Sequence, residues 1–282
     1  MNKSALFGAL ALAVLVTGSG CSSDKSDSAP VAAIREELVG LFRLTPGSVH
    51  GDAVSGTWFR MVQPGGTPEA GPYMPNGDSP VAGGLATLLE PGSSGGLRTG
   101  GYQSEPNPAF AEGNSLSGAI TKPAKFFAVE FGTSTNPVDP QTQRPVAVPS
   151  VINTGGTLTA DLAAWAASWN NQEFNQGAPK PPEKQGPDVP GARQLRQVWD
   201  WVSQKWLNQP NGVTGQGPSA TGKYAAATRK FTLQWTSLIA GGPFNGFTGV
   251  WHLEGVFEPG QAAPAASAPP AATPLITPKG TP

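Results

Sequence analysis

Glycine and proline interrupt this chain too often for long regular elements to form. The 282 residues hold 37 Gly and 30 Pro, roughly twice average usage. The excess is not confined to the ends, because residues 31–258 keep 32 Gly and 22 Pro in 228 residues. Gly supplies positive φ and Pro presets turn geometry, and both weaken element interiors. Short strands joined by long turns satisfy such a composition. Residues 63–101 are densest, with 17 Gly plus Pro in 39 residues, and loops of that length are often functional. There is no Gly-X-Y period, which excludes a collagen-like chain. Eight Trp and twelve Phe provide the apolar surface for a core.

Period-2 alternation identifies the strands. Residues 55–62 (SGTWFRMV) are rich in β-formers and end at Gln63-Pro64-Gly65-Gly66. Residues 126–131 (FFAVEF) predict a strand with Phe127, Val129 and Phe131 on one face. Residues 230–258 predict a hairpin around a Gly-Gly-Pro-Phe-Asn-Gly loop. Phe231, Leu233, Trp235, Phe247, Trp251, Leu253 and Phe257 then share the core face. His252 and Glu254 fall on the opposite, polar face.

Three segments carry helical spacing instead. Residues 159–174 place Leu162, Trp165, Ala166 and Trp169 on one stripe. Residues 193–208 place Leu195, Val198, Trp199, Val202 and Trp206 within one arc. Residues 32–41 bring Ile34, Leu38 and Leu41 into register. The expected fold is therefore mainly β: a loop-rich, β-sandwich-like domain over 31–258. It carries two or three helical insertions, chiefly at about 159–208.

The ends read differently from the body. Lys3 precedes an apolar run over residues 5–16, too short to span a bilayer and suited to a signal-peptide core. The small residues Thr17-Gly18-Ser19-Gly20 follow, then Cys21, the chain's single cysteine. One cysteine cannot make an internal disulfide. Residues 22–30 (SSDKSDSAP) form a polar tether. Residues 259–282 hold seven Pro and no aromatic, the composition of a disordered, partly polyproline tail.

Chemical motifs are sparse. Gly92-Ser93-Ser94-Gly95-Gly96 matches G-x-S-x-G, but Pro91 before it and Gly100-Gly101 after it deny the strand–turn–helix context of a nucleophile elbow. His50 lies in a turn-like stretch, and His252 has Glu254 on the same strand face. His252 and Glu254 are the candidate catalytic pair. Asn76-Gly77-Asp78 and Asn136-Pro137-Val138-Asp139 read as Asx turns, and no metal site or cofactor is expected. Trp169, Asn171, Phe244, Asn245 and His252 are the candidate ligand-binding residues, since flat rings beside amides suit sugars and peptides. The formal net charge of −1 offers no basic surplus for nucleic acid.

The leader, with Cys21 directly after Ser19-Gly20, resembles that of bacterial lipoproteins over residues 1–30. Gly18 departs from it, standing where a Leu is usual. The resemblance implies a signal peptide over 1–20 and diacylglycerol on Cys21. The bilayer is then the anchor, with the protein on the extracytoplasmic face of the cell membrane. Residues 56–66, 95–103 and 241–255 resemble exported actinobacterial proteins of unassigned function, and carry over no catalytic residue. The expected role is a non-catalytic binding module for an envelope glycan or protein partner. The alternatives are a secreted hydrolase of an envelope polymer and a structural envelope component.

Overall fold

Nearly all regular structure in the computed structural model is β-strand. It describes residues 34–179, 197–200, 205–208, 219–239 and 242–260. The first strands are β1 (Arg35–Glu37), β2 (Gly40–Leu44), β3 (Ser48–His50), β4 (Ala53–Ser55), β5 (Trp58–Thr67) and β6 (Gly71–Tyr73). After a 3-10 turn at Ala82–Gly84 come β7 (Thr87–Leu88), β8 (Gly96–Arg98), β9 (Phe110–Ala111), β10 (Asn114–Ser115), β11 (Ala124–Phe126) and β12 (Val129–Thr135). Then follow β13 (Ser150–Thr154), β14 (Thr157–Asp161), β15 (Trp165–Trp169), β16 (Gln172–Asn175), β17 (Gln197–Asp200) and β18 (Lys205–Asn208). The last three are β19 (Ala220–Ala225), β20 (Lys230–Leu238) and β21 (Thr248–Pro259).

β21 is the spine of a curled, antiparallel, 11-stranded sheet. β20 runs along one side of it, and β19, β14, β13 and β1 follow outward. Its other side is divided. Thr248–His252 pairs with β5, and Gly255–Pro259 pairs with β2. Gly255 sits at the change of partner, where a Cβ would lie 1.8 Å from the Arg43 carbonyl oxygen. A separate four-stranded sheet, β11-β12-β15-β16, sends rings into the same core. Trp165 meets Trp235 edge-on at 5.2 Å and Trp251 at 5.4 Å. Phe59 meets Phe131 at 5.6 Å.

The hairpin expected at 230–258 forms, with the predicted core face buried except Phe247, which is half-buried in the loop before β21. The expected helices do not. Residues 159–174 are the end of β14 followed by the hairpin β15–β16. Residues 34–41 run from β1 into β2, and residues 197–200 and 205–208 are the antiparallel pair β17–β18. The rest of the 193–208 expectation lies outside the described residues. The physical reason is clearest at β15. Trp165-Ala166-Ala167-Ser168-Trp169 fits helical and strand periods alike, and a short apolar run cannot separate them. The decision falls to Asn170 and Asn171, both at positive φ (50° and 59°). That is the conformation of a two-residue I′ hairpin turn, in which Asn is favoured. Residues 126–131 are also corrected. Phe127 and Ala128 form a turn of the same handedness (φ 53° and 61°) between β11 and β12, so Phe127 is exposed, away from buried Phe131.

The expected leader (1–20), Cys21 with its tether (21–30), and the tail from 261 onward lie outside the described residues. The boundary at 259 shifts slightly, because Pro259 still pairs with Gly40. The dense 63–101 stretch is irregular but tied down. Buried Asn76 donates to Thr87 Oγ1 and to the Lys125 carbonyl, both at 2.9 Å.

An apolar pocket with an aromatic rim

Alternation along β5, β20 and β21 sends Phe59, Met61, Trp235 and Trp251 inward. The facing sheet answers with Phe131, Ala167 and Phe174. Ala167 leaves space where a larger residue would close the gap. The result is a cavity of about 50 Å³, room for a few methylene groups or the edge of a ring. Buried Phe59, Met61, Phe126, Phe131 and Trp251 line it together with half-buried Trp169 and Phe244.

Gln176 is the polar fixture of this region. Its carbonyl accepts the Trp251 Nε1–H at 3.2 Å, and its backbone carbonyl accepts the Trp235 Nε1–H at 2.9 Å. One amide residue therefore holds two indoles, stacked 6.0 Å apart. At the rim, Trp169 Nε1 donates to the Phe126 carbonyl at 2.9 Å. Phe244 packs on Phe126 at 5.5 Å and on Trp169 at 5.6 Å. Phe127 projects beyond them, 44% exposed and 5.6 Å from Phe244. Its turn is held by Asp78, whose carboxylate accepts the Ala128 N–H at 2.7 Å. Left-handed backbone is costly for residues with a Cβ, so this turn, at φ 53° and 61°, carries strain.

The structure thus unites two of the sequence candidates, Trp169 and Phe244. Exposed Asn171 sits on the turn beside Trp169, and Asn245 beside Phe244 in the loop; neither lines the cavity. Sequence reasoning missed Phe59, Phe126, Phe174 and Trp251 as pocket residues. Their convergence depends on strand pairing across the chain, for which no local signal exists.

His252 points away from the pocket. Its ring stacks on Trp58 at 4.9 Å and 7°, and Nδ1 lies 3.3 Å from the Gln234 side-chain oxygen Oε1. Glu254 is 3.8 Å from Nε2, close enough to act as a charge but beyond hydrogen-bond reach. Burial lowers the imidazole below its ordinary value, against the opposing pull of Glu254. The Glu254 carboxylate also accepts the Gly56 N–H at 3.2 Å. His50 is exposed on the β3–β4 hairpin, and Ser94 lies in the turn before β8. Among the described residues, no three His, Cys, Asp or Glu side chains cluster to hold a metal ion, and no helix is long and apolar enough to cross a membrane.

Comparison with protein-family models, curated proteins and solved structures finds no match to this chain.

Proposed function

We propose that this chain is a lipoprotein anchored through Cys21 on the extracytoplasmic face of the cell membrane. Its loop-rich, sandwich-like β body binds an envelope ligand. The reading rests on one observation above all: an apolar pocket lined by Phe126 and the half-buried rings of Trp169 and Phe244. Apolar clefts with few polar groups are the usual form of a ligand site. The occupant is a small apolar group, an alkyl end or ring edge borne by the ligand. Burying a group of that size contributes roughly 1.5–3 kcal/mol, which alone gives weak affinity. Tethering offsets this by raising effective concentration. The 14 residues from Cys21 to Ile34 reach at most about 45 Å when extended. The body is thereby confined to a thin layer over the bilayer. The hydrolase alternative rests on His252 and Glu254, whose partners are Trp58, Gln234 and Gly56.

Two experiments test this. Xenon dissolved under pressure with the labelled protein should shift the Met61 and Ile239 methyl resonances saturably, and Ala167→Leu should abolish the shift while the fold persists. Unmoved methyl signals in the parent protein would refute the pocket. For the anchor, Cys21→Ala should move the protein from the membrane fraction to the medium. Undiminished membrane retention would refute lipidation.

A further inference from the structure

The outer face of the same strands carries a second arrangement, independent of the pocket. Trp58 and Arg60 are two apart on β5, so both leave the sheet on the side opposite Phe59. Trp58 is paired with His252 across the ladder. The Arg60 guanidinium lies 4.6 Å from the Trp58 ring centre and 5.1 Å from that of Tyr73. Tyr73 is fixed in turn, its hydroxyl donating to the Pro68 carbonyl at 2.8 Å. His252, Trp58, Arg60 and Tyr73 therefore stand in single file across three strands.

Arg60 is the unusual member. Its Nε is buried and has no hydrogen-bond partner, and among the described residues no carboxylate pairs with it. A guanidinium is a planar fork of five donors. Leaving a buried donor of a charged group unpaired is costly. The flanking rings offset part of that through cation–π contact, but rings accept no in-plane hydrogen bond. A clamped arginine with unspent donors is a preorganised receptor for a planar anion.

We propose that Arg60 is the carboxylate-binding residue of this protein. Clamped between Trp58 and Tyr73, it receives a carboxylate of an envelope ligand end-on through N–H···O bonds from its two terminal Nη groups, the Nε being closed off by burial. Charge selects a carboxylate over a phosphate. Arg60 is the single fixed cation of the stack, burial favours neutral His252, and Glu254 beyond it would repel a dianion. Two sources fit the chemistry, an acidic sugar and a peptide terminus. The inference goes beyond the pocket reading and stands or falls separately, since the two sites occupy opposite faces of β5.

The test is a titration of the ¹⁵N-labelled full-length chain in detergent, reading the Arg60 Nε–H resonance, assigned by its loss in Arg60→Lys. Glucuronate represents the sugar source and N-acetylglycine the peptide source. At least one should shift the resonance saturably, and the tighter one identifies the source. Neutral glucose should leave it unmoved. Arg60→Lys, followed through the backbone amide resonances of Trp58 and Tyr73 because its own Nε–H is gone, should weaken carboxylate binding at least tenfold. Tyr73→Leu, which keeps the charge and opens the clamp, should weaken it by a smaller factor. The proposal is overturned if neither carboxylate shifts the parent resonance, if inorganic phosphate binds more tightly than both, or if Arg60→Lys binds as the parent does.

Discussion

The two faces of the β5–β21 ladder are made by alternate residues of the same two strands, yet they pack by different rules. Inward, Phe59 and Trp251 meet at 4.5 Å, and Trp251 also touches Phe131, Trp165 and Trp235. Rings meet there at many angles, as a close-packed interior requires. Outward, Trp58 and His252 stack almost parallel, and Arg60 and Tyr73 extend the row. The inner face gains from burial in every direction. The outer face gains only from each neighbour in line and keeps its edges open to solvent. A single register, Trp58 opposite His252 and Phe59 opposite Trp251, builds both. A site for apolar groups and a site for a charged group can therefore lie one residue apart.

The sharpest way to break this comparison is to remove one indole from each face. Trp251→Ala should destabilise the protein by about 3–5 kcal/mol, the usual cost of deleting a buried large aromatic. Trp58→Ala should cost only about 1–2 kcal/mol, the scale of one cross-strand pair plus one cation–π contact. Denaturant unfolding measures both, and equal losses would mean that the outer stack is also core.

A smaller effect sharpens the outer face alone. The His252 imidazole is held below its ordinary value near 6.5, so the unfolded chain takes up that proton first. Its contribution to stability is complete above that ordinary value. It declines as pH falls below it, and levels off once the folded state also protonates. His252→Gln should remove this component, so the parent-minus-variant stability difference should change with acidification in that sense. A pH-independent difference would place His252 in open solvent.

The same contrast explains what the sequence could reveal. Alternation along β20 and along β21 from Trp251 onward exposed both faces, because most residues there obey one local rule; Val250, buried on the outer side, departs from it. Helical spacing over 159–174 misled, because small and aromatic residues packed at short intervals satisfy two periods. The informative signal was Asn170-Asn171, where the Asn171 amide read as a ligand-binding group while the backbone of both residues was making the turn. Likewise Phe127 looked like a strand residue and is a turn residue. At the candidate site, Trp169 and Phe244 were visible as flat rings beside amides. Phe59, Phe126 and Trp251 join them only through long-range pairing. Arg60 between Trp58 and Tyr73 was invisible for the same reason: Tyr73 reaches it from β6, across a register shift between Val62 and Thr67.

The pairing of β2 with β21 carries a consequence in time. Arg43 and Glu258, an ion pair with contacts of 2.5 and 2.8 Å, are 215 residues apart. Gly260 N–H also donates to the Val39 carbonyl at 3.1 Å. A chain synthesised from its N-terminus holds β2 long before the strand that completes it exists. β5 waits for the same partner, β21, and β20 gains its second neighbour only with it. Such distant closure slows folding and lengthens the interval in which strand edges stand open. The body therefore cannot close until nearly all of it has left the ribosome, and a chain still open is one that can be threaded through a narrow channel.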